Sequence, residues 1–416
     1  MNKKTVRDVD VQGKRVLVRV DFNVPLDGGR VADDTRITAA LPTLRHVLEQ
    51  DGALVLMSHL GRPGGEPEAK YSLRPVADRL SELLDRPVQF VADCMGADAE
   101  AAAAALKPGA VLLLENTRFY AEEEGKATLP DAASDDEIKA AKAAMREKQD
   151  AMARALAGLG DLYVNDAFGA AHRAHASTAV ITKYCSTCVA GLLMEKELNY
   201  LGRALAEPER PFVAVLGGAK VSDKVNVITR LLEKVDALII GGAMAYTFYR
   251  ARGLPTGASL VEEDKADLAS EILKKADAGG VKLLLPVDHV IADSFSAEAK
   301  TEVVEEGGIR DGWMALDIGP RSAELFGETL RQAKTVVWNG PMGCFEMEPF
   351  AEGTMAVVRA VAESGALSIV GGGDSVSAVN RSGLADRMTH ISTGGGASLE
   401  FLEGKTLPGV AALDDA

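Results

Sequence analysis

The sequence predicts an α/β protein of two domains, each a parallel sheet flanked by helices (a Rossmann-like, three-layer αβα arrangement), facing one another across a hinged cleft. Three observations carry that expectation. The 416 residues exceed what one core usually organises. Short apolar runs alternate with longer amphipathic stretches along the whole chain. The residues just after each run change character halfway along.

The apolar runs fall at residues 16–20, 53–57, 111–114, 162–164, 212–216, 237–240, 283–285, 335–338 and 367–370, the length of buried strands. Stretches such as 37–50 and 73–84 carry helical patterning between them. Strand and helix in alternation mean parallel sheets covered on both faces. Right-handed crossovers bring the strand ends to one edge, where open α/β sheets bind ligands. In the first half those ends are charged or polar. Val20 runs into Asp21-Phe22-Asn23, Met57 into Ser58-His59-Leu60-Gly61-Arg62, Leu114 into Glu115-Asn116-Thr117-Arg118, and Val164 into Asn165-Asp166 and on to His172-Arg173-Ala174-His175. In the second half they are glycine: Gly217-Gly218-Ala219-Lys220, Gly241-Gly242, Asn339-Gly340-Pro341-Met342-Gly343, Gly371-Gly372-Gly373-Asp374 and Gly394-Gly395-Gly396. The boundary is expected near 184–191, with an N-terminal domain over 1–188, a C-terminal domain over 189–404 that opens on a connecting helix at 192–205, and a last segment over 405–416. Residues 121–150, rich in Ala, Glu and Lys, read as a solvated helix pair with no part in chemistry.

A hydrophobic share of 47% beside 26% charged residues marks a globular chain and argues against disorder. A formal charge of −15 excludes a general binder of nucleic acid or anionic membrane, so an anionic ligand must meet a local basic cluster. Residues 1–10 are charged and lack the apolar core of a secretion signal. No apolar run has the length of a membrane span, and four cysteines make no disulfide framework. A reduced, cytoplasmic protein is expected.

Arg36, His59, Arg62, Arg118, His172, Arg173 and His175 form the first candidate constellation. Guanidinium groups bind carboxylate and phosphate bidentately and stay charged at any working pH, so several together suit a small polyanion. A lone arginine more often pairs with a surface carboxylate; arginines gathered at strand ends and their loops fit that explanation poorly. Lys220 and Lys224 share one helix face, while the preceding glycines let backbone N–H groups approach phosphate at a helix N-terminus. The spacing is not that of a GxxxxGK[ST] loop. Asp374, after three glycines at a strand end, offers the kind of carboxylate that Mg2+ takes beside phosphate oxygens. His172-x-x-His175 with Cys185-x-x-Cys188 imitates a zinc spacing, and the two cysteines alone a redox pair; both readings rank below the anion pocket. Cys94 and Cys344 read as buried small hydrophobes. An NAD-dependent oxidoreductase would need a G-x-G-x-x-G turn where Asp21-Phe22-Asn23-Val24-Pro25 stands. A silent sensor of nucleotide or sugar phosphate would be expected to lack Arg36, Lys220 or Asp374.

Several long motifs together resemble phosphoglycerate kinase: Arg19-Val-Asp21-Phe-Asn23-Val-Pro25, Ser58-His-Leu-Gly-Arg62-Pro, Tyr163-Val-Asn165-Asp-Ala-Phe-Gly169 on to His172-Arg-Ala-His175, Gly217-Gly-Ala-Lys220-Val-Ser-Asp-Lys224, Trp338-Asn-Gly-Pro341-Met-Gly343 with Phe345-Glu346, Gly371-Gly-Gly-Asp374-Ser, and Ser392-Thr-Gly-Gly-Gly396-Ala-Ser. The likeness runs from about residue 14 to the C-terminus. It implies a monomer that transfers a phosphoryl group reversibly between 1,3-bisphosphoglycerate and ADP, giving 3-phosphoglycerate and ATP, with Mg2+. It implies that Asp21, Phe22, Asn23, Arg36, His59, Leu60, Gly61, Arg62, Arg118 and Arg173 surround the phosphoglycerate. It places Lys220, Lys224, Gly241, Gly319, Asn339, Glu346, Gly372, Gly373, Asp374 and Ser375 around the nucleotide, Glu346 on the ribose and Asp374 on the metal. The catalytic positions it implies are Arg36, Lys220, Lys224, Gly373 and Gly395. It also implies that 405–416 returns to the N-terminal domain. Residues 121–150 and 181–189 depart from the common bacterial pattern.

Overall fold

The computed structural model describes residues 2–127, 129 and 133–416. It divides into two compact units, Met1–Leu198 with Thr406–Ala416, and Asn199–Lys405. In the first, six parallel strands stand in the order Val88–Val91, Val111–Leu114, Ala53–Met57, Arg15–Arg19, Leu162–Asn165, Cys188–Ala190. In the second, the parallel order is Lys282–Leu284, Ala237–Ile240, Phe212–Leu216, Thr335–Asn339, Leu367–Gly371, His390–Ile391. Ala53–Met57, Phe212–Leu216 and Thr335–Asn339 are buried at every position, as strands covered by helices on both faces must be. The cores gather around Val16, Val18 and Leu54 in one unit and around Trp338, Phe326 and Val370 in the other.

Alternation of strand and helix does not foresee every element. Cys188–Ala190 and His390–Ile391 are too short to show a period, and Val88–Val91 is a half-buried edge. A separate antiparallel sheet orders Thr301–Glu305, Asp288–Ala292 and Met314–Ile318. Its outer strand is almost wholly exposed, so it has no apolar run to find. The expected solvated helix pair over 121–150 needs correction. Asp135–Ala157 is one helix opened by a Ser134/Glu137 capping box; it is solvated through residue 150 as expected, and Met152, Ala153 and Leu156 are buried only beyond that stretch. Ala121–Glu124 is a single turn whose Glu123 is fully buried. Residues 128 and 130–132 of that stretch lie outside the described residues. Cys94 is buried as expected, but Cys344 is only partly so.

Residues Thr406–Ala416 are tied into the first unit by named bonds. Gly409 N–H donates to the Ala171 carbonyl at 2.8 Å, Asn165 Nδ2 to the Gly409 carbonyl at 3.1 Å, and Asp414 N–H to the Cys188 carbonyl at 2.8 Å. Leu407 and Val410 are completely buried.

Tight backbone contact marks the end of strand Phe212–Leu216. A Cβ on Gly217 would sit 1.9 Å from the Pro341 carbonyl oxygen, which as backbone cannot swing aside. Gly217→Ala is therefore expected to cost about 1–3 kcal/mol by overpacking. Gly373→Ala, where a Cβ meets nothing within 4 Å, is expected to leave stability nearly unchanged. Urea midpoints of the two variants check the contrast.

Candidate functional site

Two sites form, one in each unit. In the first unit, Arg19 lies in register with Met57 on one side and Asn165 on the other, so the segments starting at Val20, Ser58 and Asp166 leave the sheet together. Ser58 Oγ accepts the Phe22 N–H at 2.8 Å and Asn23 Oδ1 accepts the Gly61 N–H at 2.8 Å, which locks two of these loops. Phe22 and Leu60 are buried props of that arrangement. Arg36, in the first turn of helix Thr35–Glu49, donates to the Asn23 carbonyl at 3.0 Å and stands 3.3 Å from Asp21 Oδ1. Arg118 donates to the Gly61 carbonyl at 2.8 Å and pairs with Glu124 at 3.3 Å.

Arg62, Arg118, Arg173 and His175 line a cavity of about 450 Å3 together with Tyr120, Glu124 and Lys126. Among the described residues, the guanidinium groups of Arg62 and Arg173 have no protein partner. Asp21, Asn23, Arg36, His59 and His172 stand outside that lining.

Beneath this site lies a buried polar cluster. Arg19 is fully buried; it donates to Ser177 Oγ at 2.8 Å and to the Val20 carbonyl, and its Nη2 meets His59 Nδ1 at 3.0 Å. Glu123 accepts the Ser177 hydroxyl at 2.5 Å and its N–H at 3.0 Å, and lies 3.9 Å from both Arg19 and His175 Nδ1. Sequence reasoning missed Glu123. Its one signal was a carboxylate run close after Arg118, and nothing in that run singles out the middle member. Because Arg19 can only donate, His59 Nδ1 accepts and its proton sits on Nε2. Burial, with Arg19 beside it, pushes the His59 pKa well below the usual range. Burial likewise takes His175 down to about 4, with Glu123 opposing. Both imidazoles are neutral at pH 7, so the cavity's positive charge comes from its arginines and Lys126.

In the second unit Asn339 pairs in register with Leu216 and Gly371, which brings the glycine turns after three strands side by side. Gly340 N–H donates to Ser375 Oγ at 2.6 Å. Asn339 Oδ1 accepts from Lys224 Nζ, while Asn339 Nδ2 is buried with no hydrogen-bond partner. Gly372, at φ +90°, caps helix Gly373–Ser382, whose first turn carries Asp374. Gly395, at φ +47°, precedes helix Gly396–Leu402.

A cavity of about 570 Å3 opens beside these turns. Tyr246, Leu260, Phe295, Leu316 and Met342 give it apolar walls, and Glu346 and Asp374 contribute carboxylates. Gly218 and Gly242 keep it flat; a Cβ on Gly242 would lie 2.5 Å from the Gly218 nitrogen. An apolar slot with a few polar groups suits a nucleobase and its sugar. Leu260, Phe295 and Leu316 were not foreseen. Leu260 and Phe295 are large hydrophobics left 53% and 68% exposed, a signal visible only in three dimensions. Lys220, Lys224, Gly241, Gly319, Asn339, Gly372, Gly373 and Ser375 do not line this cavity, and the helix expected to carry both lysines on one face begins only at Val225, beyond them. Gly319 instead caps helix Pro320–Arg331 against the Asp288 carboxylate.

Asp374 is exposed at a helix N-terminus, a donor suited to Mg2+. Among the described residues no three His, Cys, Asp or Glu side chains gather to hold an ion. A metal at Asp374 would complete its shell with phosphate oxygens and water.

Comparison with known proteins agrees along the whole chain. The family model for phosphoglycerate kinase matches residues 6–405. The chain is 55% identical to the phosphoglycerate kinase of Chloroherpeton thalassium and 58% identical to that of Chloroflexus aurantiacus, each across 100% of both chains. The structure of phosphoglycerate kinase from Coxiella burnetii superposes with a TM-score of 0.84 at 40% identity, covering 99% of this chain and 98% of that one. The enzyme from Pyrococcus horikoshii gives 0.83 at 34% identity, with the same coverage.

Burial lowers the Lys224 pKa to about 8, with Asp223 and Asp374 pulling the other way. The ammonium that would meet phosphate is thus lost from the free protein as pH rises through about 8. Affinity for a nucleoside diphosphate, measured by calorimetry, is expected to weaken over that range, and Lys224→Met to flatten the dependence. The same group acts on stability with opposite sign. Above about 8 the unfolded chain holds the proton longer, so this contribution favours folding as pH rises.

Proposed function

The chain belongs to the phosphoglycerate kinase family, and from that premise we propose how its residues divide the reaction. It transfers a phosphoryl group between 1,3-bisphosphoglycerate and ADP, giving 3-phosphoglycerate and ATP. In the direction that consumes ATP the nucleophile is a carboxylate, already ionised at neutral pH, so no general base is required. The neutral, buried state of His59 and His175 fits a site that orients substrate and moves no proton.

The observation that carries the assignment of the phosphoglycerate site is the small cavity in which Arg62 and Arg173 point unpartnered cations beside Arg118. These three hold the anionic substrate bidentately. Asp21, Asn23, Arg36 and His59 complete its surroundings, with Phe22, Leu60 and Gly61 fixing their backbone. Glu123 and Arg19 are positioning residues beneath them.

For the nucleotide, the apolar slot takes the base and Glu346 the ribose. Lys220, Lys224, Gly372, Gly373 and Ser375 gather the phosphates, and the unspent Asn339 Nδ2 donor supports that placement. Gly241 and Gly319 serve through backbone shape. Asp374 holds Mg2+, which when bound neutralises charge on the phosphate oxygens. Catalysis is positioning and charge neutralisation. Arg36 and Lys220 neutralise the phosphoryl group in transfer, and N–H groups near Gly373 and Gly395 stabilise its equatorial oxygens. The family resemblance implies a monomer acting in the cytoplasm.

A coupled assay with ATP, 3-phosphoglycerate and Mg2+ is expected to show acyl phosphate formation; a protein that binds both substrates and forms none overturns the reading. Lys220→Ala is expected to lose at least ~3 kcal/mol of transition-state stabilisation, about a hundredfold in kcat. Arg36→Ala is expected to lower kcat far more than nucleotide affinity, and parallel losses in both would remove it from the transition state.

A further inference from the structure

Between the short helix Val180–Tyr184 and the edge strand Cys188–Ala190 runs a turn, Cys185-Ser186-Thr187-Cys188, that phosphoryl transfer does not use. We propose that this turn is a thiol–disulfide exchange site, with Cys185 the attacking thiol toward a small external disulfide and Cys188 the thiol that resolves the adduct.

The two cysteines differ in access and share one turn, with the Cys188 thiol against the Cys185 backbone. Cys188 is buried at 3% exposure, with its thiol 3.7 Å from the Cys185 carbonyl and 3.8 Å from that of Thr182, whereas Cys185 is partly open. Both ends of the turn are pinned. Tyr184 donates to Asp150 at 3.0 Å, and Cys188 N–H donates to Asp414 Oδ2 at 3.0 Å. Pinning holds the Cys188 thiol against the backbone of Cys185, which favours ring closure once Cys185 is modified. A cavity of about 500 Å3 beside the turn is lined by Ser186 and Thr187 together with Lys14, Asp10 and Asp161, and by neither cysteine. The electrostatics agree. A hydrogen bond from the Cys188 thiol holds the Cys185 pKa down, and the same bond with burial drives Cys188 far up. Burial raises Cys94 well above the usual range and Cys344 to about 11. Thiolate is the reactive form, so Cys185 leads.

The steps balance with a disulfide RSSR as oxidant. The Cys185 thiolate attacks one sulfur, forming a mixed disulfide and releasing RS−. Cys188 gives its proton to water and attacks the Cys185 sulfur, expelling the second RS−. Two protein thiols are oxidised and one external disulfide is reduced to two thiols.

The test treats the full-length protein with oxidised glutathione, quenches by alkylation at intervals and maps peptides by mass. In the wild-type protein the adduct is expected on Cys185 first, followed by an internal Cys185–Cys188 bond, with Cys94 and Cys344 still alkylated. Cys188→Ser is expected to stop at the Cys185 adduct. Cys185→Ser is expected to slow modification of Cys188 by at least about tenfold. Earlier loss of Cys94 or Cys344, a first adduct on Cys188, or a persistent Cys185 adduct in the wild-type protein would overturn the proposal. The wild-type time course separates these outcomes even where a variant is unstable.

Discussion

Register in the two parallel sheets is the constraint on which both sites depend. Arg19 faces Met57 and Asn165, and Asn339 faces Leu216 and Gly371, so in each unit three chain segments leave the sheet at the same level. Their strands are buried on both faces, and a slip of one residue would invert the inward and outward sets along the whole strand. Core packing therefore fixes where Asp21, His59 and Asp166 begin, and where Gly217, Gly340 and Gly372 turn. Function inherits its geometry from hydrophobic burial.

The same constraint explains how an acidic chain handles two polyanions. Charge at the sites is local: Arg62, Arg118, Arg173 and Lys126 around one cavity, and Lys224, bonded to Asn339, at the glycine turns of the other unit. The buried Arg19 and Glu123 pair stands beneath the first. Such a pair adds little net stability over apolar packing, but removing one partner strands the other in the interior. Its effect is orientation. Through Ser177 and His59 it ties the loop after Leu162–Asn165 to the loop after Ala53–Met57.

Local patterns made the strand ends and the glycine turns legible in the sequence, because each is contiguous in the chain; the arginines come from separate segments and were legible only because each follows a strand end. The features that were missed depend on contacts between distant segments. Glu123 gains its place from Ser177 and Arg19, and no property of an Ala- and Glu-rich stretch reveals that one carboxylate turns inward. The apolar slot draws Leu316 from an antiparallel sheet whose outer strand, Thr301–Glu305, is polar and exposed. Cys344 sits partly open because its loop borders that slot. Gly319 was placed near the nucleotide by the family resemblance alone, because its packing against the Asp288 carboxylate joins segments distant in the chain.

Assigning phosphoglycerate to the arginine cavity and Mg-nucleotide to the glycine-rich turns is the central claim, and calorimetric titration of two variants with each ligand separately tests it most directly. Arg173→Ala should weaken 3-phosphoglycerate by roughly ten- to a hundredfold, the worth of one charged hydrogen bond, and leave Mg-ADP unchanged. Asp374→Asn should weaken Mg-ADP and leave 3-phosphoglycerate unchanged. If each variant weakens both ligands alike, or the two losses are exchanged, the division of labour between the two sites is wrong.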